Sequence, residues 1–291
     1  SIELDPDFTI AVMNRAKLFF DEKEFDKALR DSDLCNTDDS RAFSLEILYA
    51  LGRIKDIYKR IELTSKLDNE NIRLAAFSSF ITNQKKKDTS NNFCRNPLSF
   101  LYFSNIKSHC KDNVNLTSEI IKDLSKIKTI WEPNNKTTRN GFQTPTNVNL
   151  FSNSSKQISK LKSIILNELD VYYSKFENDS CSYIQKWPSN KNLFAWHVIL
   201  KKQGYQSAHI HPAGWLSGVI YLKVVPPLGK DEGAIEFSLN GPNYSHPNSP
   251  RLIHHPKEGD IVLFPSSLHH RTIPFSTDSD RIVIAFDLMP N

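Results

Sequence analysis

The stretch from residue 209 to residue 222 reads HIHPAGWLSGVIYL and sets a pair of histidines directly ahead of a hydrophobic strand. In an extended strand, residues i and i+2 share a face. His209 and His211 can therefore converge on one metal ion while Ile210 points into the opposite layer. An isolated His-x-His is more often a pair of ordinary strand residues bonded to the backbone, so the metal interpretation needs support from elsewhere in the chain.

That support comes from the C-terminal region. Leu268-His269-His270 adds a second histidine motif, and Arg281 follows His270 by eleven residues at the start of the run RIVIAF. The interval allows one strand, a turn through residues 274–280, and a return strand beside the metal. The two motifs and the arginine together favour a metal site over an accidental grouping.

The sequence around these motifs is typical of a β domain. After residue 188 it changes to short stretches rich in branched and aromatic residues, which are separated by turns containing Gly, Pro and Asn. The predicted strands are 194–200, 215–225, 234–239, 260–264 and 281–288. Many short strands at such intervals predict a sandwich, barrel or jelly roll.

The N-terminal region has a different pattern. From residue 7 to residue 83 the apolar residues recur at helical spacing, with a single glycine. Two helix pairs resemble a degenerate tetratricopeptide array, with copies about 29 residues apart instead of the usual ~34. The first copy has Ala16, Phe19, Phe25 and Ala28, the second Leu45, Leu48, Gly52, Ile54 and Ile57, and a third helix spans about 69–81. This region acts either as a helical packing cap or as a peptide-binding groove.

The fold class predicted from these patterns is α+β, with an α-helical repeat-like domain followed by a sandwich, barrel or jelly roll with flanking helices. The predicted boundaries are 1–83 for the helical tetratricopeptide-like domain, 84–139 for an irregular linker leading into the barrel, and 140–291 for the β domain. Flanking helices are expected near 118–130 and 158–172.

Composition excludes several classes of protein. The chain has 291 residues, of which 39% are hydrophobic and 24% charged, and no stretch approaches the roughly 18 apolar residues of a membrane span. No secretory signal pattern is seen at the N-terminus. Cys35, Cys94, Cys110 and Cys181 are widely scattered, which predicts reduced thiols in a cytoplasmic protein. The net charge of +4 is spread along the chain and does not favour nucleic-acid binding.

Three histidines alone do not name the metal, because neutral imidazole suits Fe, Zn, Cu and Ni. Three ligands on one face of an octahedral ion leave three positions for an organic acid and dioxygen, which is the arrangement of non-haem Fe(II) oxygenases. Such an enzyme needs a cation for the far carboxylate of its co-substrate. Arg281 has the right chemistry, because its planar guanidinium binds a carboxylate through two hydrogen bonds and stays charged when buried.

From about residue 140 to the C-terminus the chain resembles the 2-oxoglutarate- and Fe(II)-dependent oxygenases of the double-stranded β-helix superfamily, which often follow tetratricopeptide repeats. The resemblance covers about half of the chain, and its motifs are specific in combination. They are GFQT (141–144), HIHP (209–212), LSGVIYL (216–222), GDIVLFPS (259–266), LHH (268–270) and RIVIAFD (281–287).

The resemblance implies a role for each matching position. His209 is the first iron ligand and His270, not His269, the distal one. Arg281 binds the C5 carboxylate of 2-oxoglutarate, and Tyr221 matches a tyrosine that assists it in prolyl-hydroxylase-like members. The wider superfamily has Asp or Glu where this chain has His211, so iron has either three histidine ligands or two and a water.

The implied activity couples oxidative decarboxylation of 2-oxoglutarate to hydroxylation of an unactivated C–H bond, with Fe(II) and O2, releasing succinate and CO2. The substrate is a peptide, an amino acid or a small metabolite, and the N-terminal helices are candidates for a protein partner or a dimer contact.

Two other functions stay open at this point. A cupin shares His-x-His and the Gly259, Pro265 and His270 spacing, but has a glutamate after its first motif, which is missing here, and no use for Arg281. A peptide-binding scaffold with a silent barrel would not need its histidines and Arg281. Of the remaining histidines, His246, His254 and His255 are expected to face solvent, and His197 to be structural or to line the pocket.

Overall fold

The computed structural model describes residues 8–109, 116–152 and 154–291. These fall into two compact units, one helical and one β-rich. The helical unit covers the chain up to Arg95 together with Leu239–Ser249, and the β-rich unit covers Asn96–Ser238 and Pro250–Asn291. Within the described ranges, no helix combines the length and apolar character needed to cross a bilayer. Cys35, Cys94 and Cys181 are free thiols, and Cys110 lies outside the described residues.

Helix pairs build the helical unit, which confirms the prediction of an all-helical N-terminal region. The helices are α1 (Thr9–Asp21), α2 (Phe25–Cys35), α3 (Asp38–Ala50), α4 (Ile54–Leu67) and α5 (Ile72–Lys85). The predicted 29-residue repeat is seen in the 29 residues that separate the starts of α1 and α3. Ala16 and Ala28 are fully buried where α1 meets α2, because small side chains let the two backbones approach closely.

Local sequence explains where these helices begin and turn. Thr37 caps α3 by accepting from the Ser40 backbone N–H at 3.2 Å, and the Ser40 hydroxyl accepts in return from the Thr37 N–H. Gly52 lies between α3 and α4 with φ +69°, a conformation that favours glycine.

A segment from the C-terminal half of the sequence packs onto α3 and α5. The Tyr244 ring is buried with its centroid 4.9 Å from that of Phe77 and 4.8 Å from that of Phe80. The Asn243 amide donates to Glu46 at 2.7 Å. The chain's own residues 239–249 therefore occupy this part of the helical surface, which an external peptide would otherwise contact.

Two antiparallel sheets form the β-rich unit, as the predicted jelly roll requires. The first has the strand order β1-β8-β5-β10-β4-β3-β2 and the second the order β7-β6-β9. The strands are β1 (Tyr102–Asn105), β2 (Ile130–Trp131), β3 (Thr138–Gln143), β4 (Leu193–Gln206), β5 (Leu216–Lys223), β6 (Ile235–Ser238), β7 (Arg251–His254), β8 (Asp260–Pro265), β9 (His269–Thr272) and β10 (Arg281–Leu288). The predicted α+β class is confirmed.

The sheets face each other through aromatic side chains. Phe237 of β6 and Phe264 of β8 have ring centroids 5.0 Å apart. Every residue of β10 is buried, because it lies between β4 and β5 in the larger sheet. Register pairs Asp287 of β10 with Ser217 of β5 and Val283 with Tyr221, so these side chains share the face that points between the sheets.

Helices cover the other face of the larger sheet. They are α6 (Leu116–Leu124), α7 (Lys156–Phe176) and α8 (Ser182–Gln185). Ser155 caps α7 by accepting from the Ile158 N–H. Buried Glu168 of α7 accepts hydrogen bonds from Tyr102 and Ser104 of β1, each at 2.7 Å, which anchors the edge strand to the helix layer.

The predicted linker differs from the structure. Within 84–139 the chain forms β1, which pairs with β8 in the larger sheet, so much of this segment belongs to the β-rich unit. Residues 141–143 of the GFQT motif form the end of strand β3, which pairs with β4. A short, partly polar strand at a sheet edge lacks the hydrophobic alternation by which interior strands are recognised, which explains why β1 was not predicted.

Gly218 is a packing point at which any side chain should destabilise the β-rich unit. A Cβ here would lie 2.2 Å from Phe286 Cζ and 2.9 Å from Leu263 Cδ2. We expect Gly218→Ala to lower the free energy of unfolding by about 1–3 kcal/mol through overpacking, as measured by urea denaturation. Gly229→Ala is the control, because its nearest neighbours are the flexible Glu232 side chain at 3.2 Å or more. Equal stability of both variants would contradict this account.

Candidate metal centre

Backbone hydrogen bonds bring the two histidine motifs together. His209 follows the end of β4 and forms an isolated bridge with His270 of β9, with N–H to O distances of 3.1 Å in both directions. The His211 N–H donates to the Ser266 carbonyl at 3.0 Å, just after β8. The loop carrying both residues is therefore fixed at two points, which places His209, His211 and His270 side by side.

The outer nitrogen of each imidazole is committed to an acceptor. His209 Nδ1 lies 2.7 Å from the Ser207 carbonyl, His270 Nδ1 lies 3.1 Å from the Leu268 carbonyl, and His211 Nδ1 lies 2.6 Å from Asp287 Oδ1. Carbonyl and carboxylate oxygens only accept, so each Nδ1 carries the proton. Each Nε2 then presents a lone pair, as metal coordination requires.

The three Nε2 positions converge. The candidate ligand atoms all lie within 4.8 Å of one another, and the two Nε2 atoms of His209 and His211 are 3.2 Å apart. Two unprotonated nitrogens this close repel each other unless a cation lies between them. Zn–N and similar bonds are about 2.0–2.1 Å long, so one ion can reach both. The donor set fits a divalent transition metal.

Burial keeps His209 and His270 uncharged. It lowers the pKa of His209 to about 3, and the neighbouring His211 adds to the effect. Burial likewise lowers the pKa of His270 well below its usual value, with contributions from His209 and His211. Both imidazoles are therefore neutral near pH 7 and ready to bind a metal without first losing a proton.

Arg281 and Tyr221 form a second polar group between the sheets. Arg281 is 2% exposed and its Cζ lies 4.9 Å from the centre of the Tyr221 ring. Its Nε donates to the Gly233 carbonyl at 3.3 Å. Arg281 Nη1 and the Tyr221 hydroxyl have no hydrogen-bond partner within the described part of the chain. Burial raises the Tyr221 pKa to about 12, so its hydroxyl is a neutral donor.

A buried guanidinium without a counter-charge is costly, because charges inside proteins are normally paired. Among the described residues no carboxylate is paired with Arg281. Two unsatisfied donors at this position fit a bound carboxylate, which would accept from both. Arg281 and Asp287 lie on the same face of β10, near its opposite ends. The strand therefore fixes the position of the Arg281–Tyr221 pair relative to the triad.

A cavity of about 470 Å³ opens beside the triad. Its apolar wall includes Phe194, Trp196 and Met289, and the Trp196 ring centroid lies 5.5 Å from that of His211. Amide and hydroxyl groups line the rest: Asn135, Thr137, Gln143, Thr144, Thr146 and Gln206. Mostly apolar walls with a few polar groups are typical of a small-molecule site.

The remaining histidines are placed away from this cavity. His269 precedes His270 on β9 and so points to the opposite side of the smaller sheet. His254 was expected to face solvent, but it lies on β7, where its ring centroid is 4.6 Å from that of Phe103 and its Nε2 is 3.2 Å from Asp260 Oδ2. His255 is exposed and contacts Asp231. His246 is half-buried in the 239–249 segment.

Asp287 is the residue that sequence reasoning missed. It ends the RIVIAFD motif, and the two-residue alternation from Arg281 would have placed it on the inner face of the strand. Its hydrogen bond with His211 joins residues 76 positions apart in sequence, so no local pattern predicts this contact.

The comparison with protein families decides the identity of this domain. Residues 194–287 match the family model described as "Putative 2OG-Fe(II) oxygenase". Over this segment the chain is similar to that family, and we refer to the β-rich unit as the oxygenase domain. The match spans all three triad histidines together with Tyr221, Arg281 and Asp287. No curated protein matches this chain significantly.

Solved structures similar to the oxygenase domain are distant in sequence. A Pseudomonas putida prolyl-4-hydroxylase is 11% identical over 66% of this chain and 92% of its own, with a TM-score of 0.46. A Trichoplax adhaerens prolyl hydroxylase in complex with a hypoxia inducible factor peptide is 14% identical over 76% and 91%, with a TM-score of 0.43. Streptomyces hygroscopicus HygX with nickel, 2-oxoglutarate and hygromycin B is 13% identical over 66% and 83%, with a TM-score of 0.41.

His197 lies on β4 outside the cavity of the oxygenase domain and should make the fold sensitive to acid. It is fully buried, its Nδ1 is 3.0 Å from Thr144 Oγ1, and burial lowers its pKa to about 4. As the pH falls below the unfolded-state pKa of about 6.5, the His197 imidazole binds a proton in the unfolded chain but stays neutral in the folded chain. Stability contributed by neutral His197 is thus lost between about pH 6.5 and pH 4.

The free energy of unfolding should fall as the pH is lowered over that interval. We expect His197→Gln to reduce the slope of this fall by up to about 1.4 kcal/mol per pH unit. Urea denaturation at several pH values measures it. His246→Gln is the matched control and should follow the wild-type profile. Buried His209 and His270 keep part of the slope in both variants. Parallel profiles for His197→Gln and wild type would rule out this role.

Proposed function

We propose that the oxygenase domain hydroxylates a C–H bond of a peptide, an amino acid or a small metabolite, and converts 2-oxoglutarate to succinate and CO2. His209, His211 and His270 are the iron ligands in this proposal. Bound Fe(II) would supply the activation of O2. The chain's own residues orient the co-substrate and the substrate and exclude water from the reacting groups.

The three-histidine assignment is supported by the shared state of the three rings. Each Nδ1 is committed to an acceptor, each Nε2 is free to bind, and the ligand atoms lie within 4.8 Å of one another. His211 is held in the same manner as the other two, which favours it as a ligand over a water molecule in its place.

The observation that carries the proposal is the buried Arg281 with its unsatisfied Nη1 beside the unsatisfied Tyr221 hydroxyl. The C5 carboxylate of 2-oxoglutarate would accept hydrogen bonds from both and neutralise the guanidinium. The opposite end of the same molecule would then lie toward the triad. A cupin has no use for such a group, so Arg281 also distinguishes the two classes of enzyme.

The cavity beside the triad is the proposed substrate site. Lys136 is its only basic residue apart from histidine, and among the described residues that line it Asp287 is the only acid. That carboxylate is engaged by His211 and Ser217. The site should therefore favour neutral or anionic substrates over cationic ones, with an apolar part against Trp196. A protein partner or dimer through the N-terminal helices stays a prediction, as does a cytoplasmic location.

Arg281→Ala should raise the concentration of 2-oxoglutarate needed for half-maximal succinate formation by about 100-fold, because a charge-assisted buried contact is worth 2–5 kcal/mol. Co(II) binding should be unchanged. Tyr221→Phe should raise it by roughly 10-fold, since one hydrogen bond to a charged group is lost. Succinate is measured with Fe(II), ascorbate and O2.

Arg271→Ala is the control, because Arg271 lies exposed on β9 and pairs with Glu236 on the surface. It should leave the 2-oxoglutarate requirement unchanged. Wild-type protein that binds metal but forms no succinate, with or without candidate substrates, would overturn the oxygenase proposal. An unchanged requirement in Arg281→Ala would overturn the role of Arg281 alone.

The charge preference of the cavity is tested with three compounds of one shape: 3-phenylpropanoate, 3-phenylpropanamide and 3-phenylpropylamine. Saturation-transfer NMR on Co(II)-free protein should detect the acid and the amide and give the weakest signal for the amine. Lys136→Glu should reverse the order of acid and amine. The strongest binding by the amine to the wild type would contradict the proposed preference.

A further inference from the structure

Asp287 sits behind His211 in a position that the other two histidines do not share. His209 and His270 direct their Nδ1 atoms at backbone carbonyls, whereas His211 directs its Nδ1 at a carboxylate, 2.6 Å away. Asp287 is 9% exposed. Of the three rings, only the His211 imidazole is therefore in direct contact with a negative charge.

The surroundings hold this carboxylate in place. Oδ1 of Asp287 also accepts from the Ser217 hydroxyl at 2.7 Å, and Ser217 in turn lies 2.8 Å from the Ser266 hydroxyl. The loop after His211 turns directly over the group. A Cβ on Gly214 would lie 3.0 Å from Asp287 Cγ and 2.7 Å from Ser266 Oγ, so a side chain at this position would crowd the carboxylate.

We infer that Asp287 is a positioning residue that supplies, through its hydrogen bond to His211, the negative charge that a carboxylate at position 211 would have supplied directly. This inference rests on the proposed function, because it takes His211 to be a ligand. Three neutral imidazoles leave the charge of a divalent ion uncompensated. A carboxylate hydrogen-bonded to Nδ1 makes the ring a stronger donor and fixes its orientation.

The position on β10 gives the same conclusion from the fold. Asp287 and Arg281 share the inner face of one buried strand. The strand therefore carries a negative group at the triad and a positive group at the far end. This polarity matches a site that binds a cation at one end and a carboxylate at the other.

The test removes the charge while keeping the shape. Asp287→Asn should weaken Co(II) binding by about 10–100-fold, which is the usual effect of losing a group that supports a metal ligand, and should shift the visible absorption spectrum of bound Co(II). The unfolding free energy of the metal-free protein is measured in parallel. Ser217→Ala is the matched control, because it deletes one hydrogen bond to Asp287 and leaves the charge; its Co(II) affinity should stay within about threefold of wild type.

A second experiment moves the carboxylate from position 287 to position 211 and so separates electrostatics from shape. In His211→Asp, the oxygen that replaces Nδ1 would lie close to Asp287 Oδ1, and two carboxylates in contact repel. Combining His211→Asp with Asp287→Asn leaves one carboxylate at the site. The double variant should bind Co(II) at least 10-fold more tightly than His211→Asp alone, since the like-charge contact is removed.

Each result bears on a separate claim. Wild-type affinity and an unchanged spectrum in Asp287→Asn would overturn the inference, and so would equal losses in Asp287→Asn and Ser217→Ala, because packing would then explain both. A double variant no better than His211→Asp alone would overturn the charge argument. Wild-type protein that binds neither Co(II) nor Fe(II) would overturn the proposed function itself, and with it the role of Asp287.

Discussion

Three neutral imidazole nitrogens converge at one point because every other hydrogen-bonding position on the three rings is already used. Each Nδ1 donates to an acceptor supplied by a different part of the chain, namely Ser207, Leu268 and Asp287. The rings cannot turn away without breaking these hydrogen bonds, and for buried His270 an unpaired donor costs about 1–3 kcal/mol. The mutual bridge of His209 with His270 holds the backbone in the same way. The hydrogen bonds donated by the three Nδ1 atoms therefore preorganise the site as much as side-chain packing does.

Strand β10 links this constraint to the rest of the oxygenase domain. It is buried along its whole length between β4 and β5. Such a strand has little freedom to slip, because a shift by one residue would exchange its two faces. The acid at one end and the arginine at the other are thus held at a set separation. Burying the Arg281 guanidinium costs free energy, which a bound carboxylate at this position can offset.

The helical unit bears on how much of the molecule is available to partners. The Tyr244 ring packs against Phe77 and Phe80 of α5, and the Asn243 amide donates a hydrogen bond to Glu46 of α3. These contacts are made by a segment that leaves the smaller sheet after β6 and returns at β7. The peptide-groove interpretation of the helical repeats therefore loses part of its surface to the chain itself, and the cap interpretation gains support.

Local sequence was sufficient where a physical signal is local. Apolar periodicity predicted the helix pairs and their 29-residue offset, and hydrophobic strands such as residues 281–288 were predicted at their observed limits. The two histidine motifs and Arg281 were likewise singled out by residue type and spacing, whereas Tyr221 and the choice of His270 over His269 came from the resemblance to the oxygenase family. Strands β1, β3 and β7 were missed because they are short and partly polar, and they become strands only by pairing with a neighbour.

The sequence by itself therefore determined the two kinds of domain, the candidate ligands and the arginine, since each depends on side-chain chemistry or on a short periodic pattern. Tertiary structure decided that the three histidines meet, that the 239–249 segment covers the helices, and that Asp287 lies behind His211. These are contacts between residues up to about 200 positions apart. Their existence follows from how strands pair and loops cross, which no window of sequence contains.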